Sequence, residues 1–162
     1  MPTHNRFFRD AAGQLGLSPG LLATVGAVLP IEIHVPPIIA QTLTDRGDPV
    51  PAPIAGMALI DTGATFTCVH EPVLQQLGLN PIGVTTSGTA AGPVQQSQYP
   101  ARLVSPDQAW TFDVASVIGV DLSGQQVPLD PPQDLIALIG RNLLQYCVLV
   151  WNGPGGFWTL ST

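Results

Sequence analysis

The chain of 162 residues carries 17 Gly and 17 Pro, no Lys, five Arg against eleven acidic residues, and a formal charge of −6. That length supports one domain with a real core, and the Gly and Pro content breaks up long helices, which excludes a helical bundle or coiled coil. Without a basic cluster the chain lacks the electrostatic footprint for nucleic acid or an anionic membrane surface, so neither is expected as a partner.

From the N-terminus, Phe8, Ala11, Ala12 and Leu15 recur at helical spacing ahead of Gly16, which predicts a short amphipathic helix over 5–15. Arg6 and Arg9 followed by the apolar run 21–29 imitate a signal peptide. Asp10 and some twenty residues precede that run, no small-residue cleavage site follows, and Pro30, Glu32 and His34 interrupt a membrane span, so a cytoplasmic protein is expected. The run itself reads as a short helix or a buried strand. Ile31, Ile33 and Val35 alternate with Glu32 and His34, a strand with one buried face on which His34 points outward rather than acting as a ligand.

Residues 36–55 are rich in Pro and read as a loop and hairpin leading into the apolar strand 57–60, which runs straight into Asp61-Thr62-Gly63-Ala64. Pro72, Val73, Leu74 and Leu77 before Gly78 predict a one- or two-turn helix. A hairpin over 84–103 has a small, Gly-rich tip, and a strand follows over 112–120. After a polar loop over 121–134, the strand 135–139 again runs from apolar residues to a special one, here Gly140. Helical content over 141–147, a strand over 148–151, a Gly-Pro turn and a strand over 157–160 complete a mostly β chain.

An ionisable Asp between four apolar residues and Thr-Gly is expensive unless backbone groups and neighbours satisfy it, and such positions are where function is found. Asp61-Thr62-Gly63-Ala64, the Gly-tipped hairpin after it, and Ile139-Gly140-Arg141-Asn142 near the C-terminus form an ordered set. Together they resemble the retropepsin-like family of single-domain aspartic proteases, which includes the retroviral enzymes, over residues 31–162.

The resemblance implies a small, closed, β-barrel-like acid protease subunit with one short C-terminal helix, active as a homodimer. It implies one catalytic Asp61 from each chain, with Thr62 cross-linking the two active-site loops and Gly63 and Ala64 supporting the carboxylates. It makes Gly88, Thr89, Ala90, Ala91 and Gly92 a flap that closes over an extended peptide. It makes Ile139, Gly140, Arg141 and Asn142 the segment that passes behind the active-site loop and opens the C-terminal helix. No cofactor or metal is implied, and the partners are a second copy and extended peptide or protein substrates. The chain holds no second Asp-Thr-Gly or Asp-Ser-Gly, so it cannot build the pair alone. In retroviral members an acid after the motif helps hold the arginine; here that position is Thr65, so Arg141 needs another partner such as main-chain carbonyls. The spacing from Asp61 to Gly140 exceeds that of the smallest viral enzymes, with the extra residues assigned to 105–134, and 157–160 is expected as an interface strand.

Residues 1–30 read as an N-terminal arm and candidate pro-segment, with Phe7-Phe8 or Leu21-Leu22 as cuts, ahead of a protease domain over 31–162. Cys68 and Cys147 read first as free buried thiols and second as one intrachain disulfide; Cys68 and His70 lack a second close pair for a metal. Two rival functions stay open: a catalytically inactive dimeric peptide-binding or scaffolding domain of the same fold, and a monomeric β-barrel that binds a small ligand.

Overall fold

The computed structural model describes residues 3–6, 8–9, 15–16, 19–89, 92–106, 110–129 and 131–162. In chain order the elements are β1 (Thr3–Arg6), β2 (Phe8–Arg9), β3 (Leu15–Gly16), α1 (Pro19–Val25), β4 (Val28–His34), α2 (Pro37–Arg46) and β5 (Ile54–Ile60). Then come β6 (Cys68–His70), α3 (Glu71–Gln76), β7 (Gly83–Thr89), β8 (Gly92–Val104), β9 (Thr111–Val120) and β10 (Gln126–Val127). The chain finishes with β11 (Gln133–Ile139), α4 (Arg141–Leu144), β12 (Val148–Asn152) and β13 (Phe157–Ser161).

Six strands close on themselves in the order β11-β5-β4-β8-β9-β6, with β6 pairing back to β11. This is the mostly β, closed-barrel fold expected from the sequence. Alternation along β4 buries Ile31 and Ile33 and turns Glu32 and His34 outward, where the His34 ring nitrogen and a Glu32 carboxylate oxygen lie 2.9 Å apart. Ile31, Ile33, Val69, Leu103, Val117 and Ala137 fill the barrel from five of its strands, all fully buried. Pro100 has no N–H to give the ladder, and the β8–β9 register shifts across it, between Tyr99 and Ala101. Buried Tyr99 donates its hydroxyl hydrogen to Glu71 Oε1 at 2.7 Å, fastening the base of the β7–β8 hairpin to α3.

Outside the ring, β1, β13 and β12 form a three-stranded antiparallel sheet with β13 in the centre. The helix expected over 5–15 is replaced by β1, β2 and β3, with residues 7 and 10–14 lying outside the described residues. An isolated helix of that length is marginal, whereas pairing with β13 satisfies a whole strand edge. The apolar run 21–29 divides into the end of α1, which buries Leu22, and the start of β4.

The loop expected over 36–55 contains α2. Its Pro37 stands at the first helical position, where a missing N–H costs nothing, and Gly47 closes it at φ +76° with bonds from its own N–H to Thr44 O and from Asp48 N–H to Leu43 O. The loop over 121–134 likewise contains the short β10, paired with β11. Both cysteines are free and half-buried. No described helix is long and apolar enough to cross a membrane.

Candidate active site

β5 and β11 are parallel neighbours in register from Leu138↔Leu59 to Ile139↔Ile60, so the two apolar runs end side by side. Asp61 leaves one end and Gly140 the other, and the Asp61 N–H donates to Ile139 O at 3.0 Å. Residues 79 apart in sequence thereby meet at one edge of the barrel.

The loop after Asp61 folds back on its carboxylate. The Gly63 N–H donates to Asp61 Oδ1 at 2.8 Å and the Ala64 N–H to the same oxygen at 3.2 Å. A Cβ on Gly63 would stand 3.1 Å from that oxygen, which is why the approach suits glycine. Oδ2 accepts no hydrogen bond from the described residues, and the side chain is half-buried. One oxygen is held by the backbone; the other is not.

Arg141 secures the loop from behind. Its Nη1 donates to Thr62 O at 2.7 Å and Gly63 O at 3.1 Å, and its Nη2 donates to Thr65 Oγ1 at 2.8 Å. Main-chain N–H groups of Arg141 and Asn142 donate to Ala64 O and Thr65 O. The partner that the sequence left open is thus two carbonyls together with the hydroxyl of Thr65 itself.

Thr67, which sequence reasoning did not single out, is fully buried beneath this loop. Its N–H and hydroxyl both donate to Asn142 Oδ1, at 2.8 and 2.9 Å, and its Oγ1 accepts the Gly140 N–H at 3.1 Å. A polar β-branched residue at the entry of a buried strand, between Phe66 and Cys68, was the available signal. Thr67→Val removes the acceptor of a buried N–H and is expected to cost about 1–3 kcal/mol in urea unfolding; an unchanged midpoint would contradict the network.

Cys68 follows at once. Burial, with the negative charge of Asp61 second, pushes its thiol up to about 11. The native state therefore holds this proton more tightly than the unfolded chain, so the stability it contributes is present below the ordinary thiol range and is lost as pH rises toward about 11. With so little thiolate, Cys68 should alkylate roughly 100-fold more slowly at pH 8 than an unperturbed thiol. Mass-resolved alkylation at an ordinary thiol rate would contradict this environment.

The hairpin expected as a flap is present, with β7 and β8 paired from Gly83↔Gln98 to Thr89↔Gly92. Gly88 faces open space and Gly92 adopts φ +113°; Ala90 and Ala91 lie outside the described residues. No side chain from residue 83 to 98 is charged. A separate cleft of about 410 Å³, lined in part by Ile54, Ala55, His70, Asp134 and Ile136, lies toward the opposite ends of β5 and β11 and shares no residue with the Asp61 loop. Among the described residues no three His, Cys, Asp or Glu side chains gather as a metal site.

A family model described as aspartyl protease matches residues 50–140, a span that takes in Asp61, the hairpin and Gly140. No curated protein matches the chain. Among solved structures, the solution structure of simian foamy virus (mac) protease is similar at 20 % identity, covering 72 % of this chain and 92 % of that one, with a TM-score of 0.40. The crystal structure of a retropepsin-like aspartic protease from Rickettsia conorii is similar at 14 % identity, covering 98 % of this chain and 92 % of that one, with a TM-score of 0.42.

Proposed function

The chain belongs to the aspartyl protease family, and from that premise we propose an aspartic endopeptidase whose active unit is a homodimer, each subunit giving one Asp61. The observation that carries the reading is the loop geometry: a single half-buried carboxylate per chain, fixed through Oδ1 by two N–H groups, with Oδ2 left for a second carboxyl and a water. Two carboxylates at hydrogen-bond distance cannot both ionise cheaply, so such a pair holds one proton and titrates as a unit, as aspartic-protease dyads do.

In the reaction, the ionised Asp61 takes a proton from the water held between the pair. As the water oxygen bonds to the peptide carbonyl carbon, the protonated Asp61 donates its proton to the carbonyl oxygen, which gives a tetrahedral intermediate and no acyl-enzyme. The proton then passes to the leaving amine as the C–N bond breaks. Gly63 and Ala64 keep each carboxylate in plane, and Arg141 keeps the loop from drifting. Thr62, exposed at the loop's tip, is the residue we assign to the contact with its counterpart loop. The hairpin from Gly88 to Gly92 is assigned as the flap over the substrate, excluding water. Its lack of charge supports extended, largely apolar or neutral peptide segments as substrates.

Digesting a diverse peptide mixture from mildly acidic to neutral pH, read by mass spectrometry, tests the reading. Cleavage within uncharged segments is expected, and none by folded, dimeric protein would overturn it. The same incubation, read as intact mass, tests release of the N-terminal arm; Leu22 is 1 % exposed in α1, which shields the Leu21-Leu22 bond.

A further inference from the structure

The cleft of about 410 Å³ beside the starts of β5 and β11 takes no part in holding Asp61. Part of its wall is the turn 122–125, and hydrogen bonds lock that turn on both sides. The Leu122 N–H donates to His70 Nδ1 at 3.0 Å, and the Ser123 N–H to Asp121 Oδ1 at 2.9 Å. The Gln125 N–H donates to Leu122 O at 3.0 Å, and the Leu135 N–H of β11 to Gln125 O at 2.9 Å. A cleft framed this way is pre-formed. Its volume lies at the small end of the range of about 300–1,000 Å³ found for ligand sites, which suits a single residue better than a long segment.

The lining selects the occupant. Ile54, Val73, Leu135 and Ile136 give it an apolar wall. His70 takes the Leu122 N–H on Nδ1, so its own ring proton sits on Nε2, a donor with no partner among the described residues. Asp134 Oδ1 accepts the Gln126 side-chain amide at 2.8 Å, while Oδ2 accepts nothing from the described residues. All lining residues fall within 54–136, a span with seven acids and one base, Arg102, whose Nε lies 3.2 Å from Asp113 Oδ1. Such a field draws a cation and turns an anion away. We propose that the cleft docks one basic side chain from a segment of another protein. The aliphatic stem lies along the apolar wall, the cationic head meets Asp134 Oδ2, and the backbone carbonyl of the docked residue accepts the His70 Nε2 hydrogen. Seven residues of β5, roughly 20 Å of strand, separate Ile54 from Asp61. The docking therefore stands whether or not Asp61 cleaves peptides.

The test titrates the ¹⁵N-labelled full chain with N-acetylarginine N-methylamide, beside the norleucine and glutamate counterparts and free arginine. The arginine probe should shift the Leu122, Ser123, Gln125 and Leu135 amides saturably. The norleucine probe should bind roughly fivefold more weakly, the worth of one exposed charge pair, and the glutamate probe should not bind. Asp134→Asn, which keeps an oxygen for Gln126, should bring the arginine probe level with norleucine. His70→Asn keeps an acceptor for the Leu122 N–H without the Nε2 hydrogen, and should weaken both probes alike. Asp61→Asn should bind every probe as wild type does, which keeps this result separate from the protease reading. Equal binding of arginine and norleucine, preference for glutamate, silence at the four amides, or an Asp134→Asn variant without effect would each overturn the proposal. Free arginine binding more tightly than the blocked probe would assign the cleft to a small metabolite and overturn it as well. The wild-type comparisons decide alone if a variant fails to fold.

Discussion

Asp61→Asn is expected to lower peptide cleavage roughly 10³-fold, the scale of a lost general acid–base group, without unfolding the chain. The side-chain oxygen of Asn can still accept the Gly63 and Ala64 N–H groups that now meet Oδ1, so the loop keeps its shape. What is lost is the ability to hold and release a proton. A stopped-point assay on the best substrate, with near-ultraviolet circular dichroism on the same samples, separates the two effects. An Asn variant that cleaves at more than a tenth of the wild-type rate would place the chemistry elsewhere.

Among the described glycines, Gly140→Ala is expected to meet the hardest obstacle. An added Cβ would drive into the Phe66 carbonyl and come within 2.8 Å of Thr67 N, and both are backbone, which cannot rotate away. The φ of Gly140 is −86°, so the obstacle is space and not conformation. Forced overpacking of this kind costs about 3 kcal/mol, which for a domain of this size lowers Tm by roughly 6–12 °C. Cleavage should fall with it, since the same backbone carries the loop that holds Asp61. Gly88→Ala, with nothing within 4 Å of its Cβ, is the matched control and should change unfolding by less than about 0.5 kcal/mol. Equal midpoints for the two variants would contradict the packing.

Much of the site is legible in the sequence because its two halves repeat one local pattern, an apolar strand ending in a residue that strands do not favour. Residues 57–60 before Asp61 and 135–139 before Gly140 show it, and both are strands with those ends. Their parallel pairing is not legible, since partners so far apart leave no periodic trace in either segment. Thr65 marks the limit from another side: the absence of an acid there is plain in the sequence, but that a hydroxyl and two carbonyls replace it needs coordinates. The helix α2 was hidden by its prolines, which signal a loop by composition and a helix start by position. The N-terminal segment misled for the opposite reason. Its helical spacing is local, whereas the edge of β13 that β1 joins comes from the far end of the chain.

The central claim is that one active site takes an Asp61 from each of two chains. Wild type and Asp61→Asn, co-refolded at fixed total concentration over a series of ratios, test it most directly. If the pair is shared, mixed dimers are dead and total activity falls as the square of the wild-type fraction. If activity falls only in proportion to that fraction, each chain carries a complete site and the account is wrong.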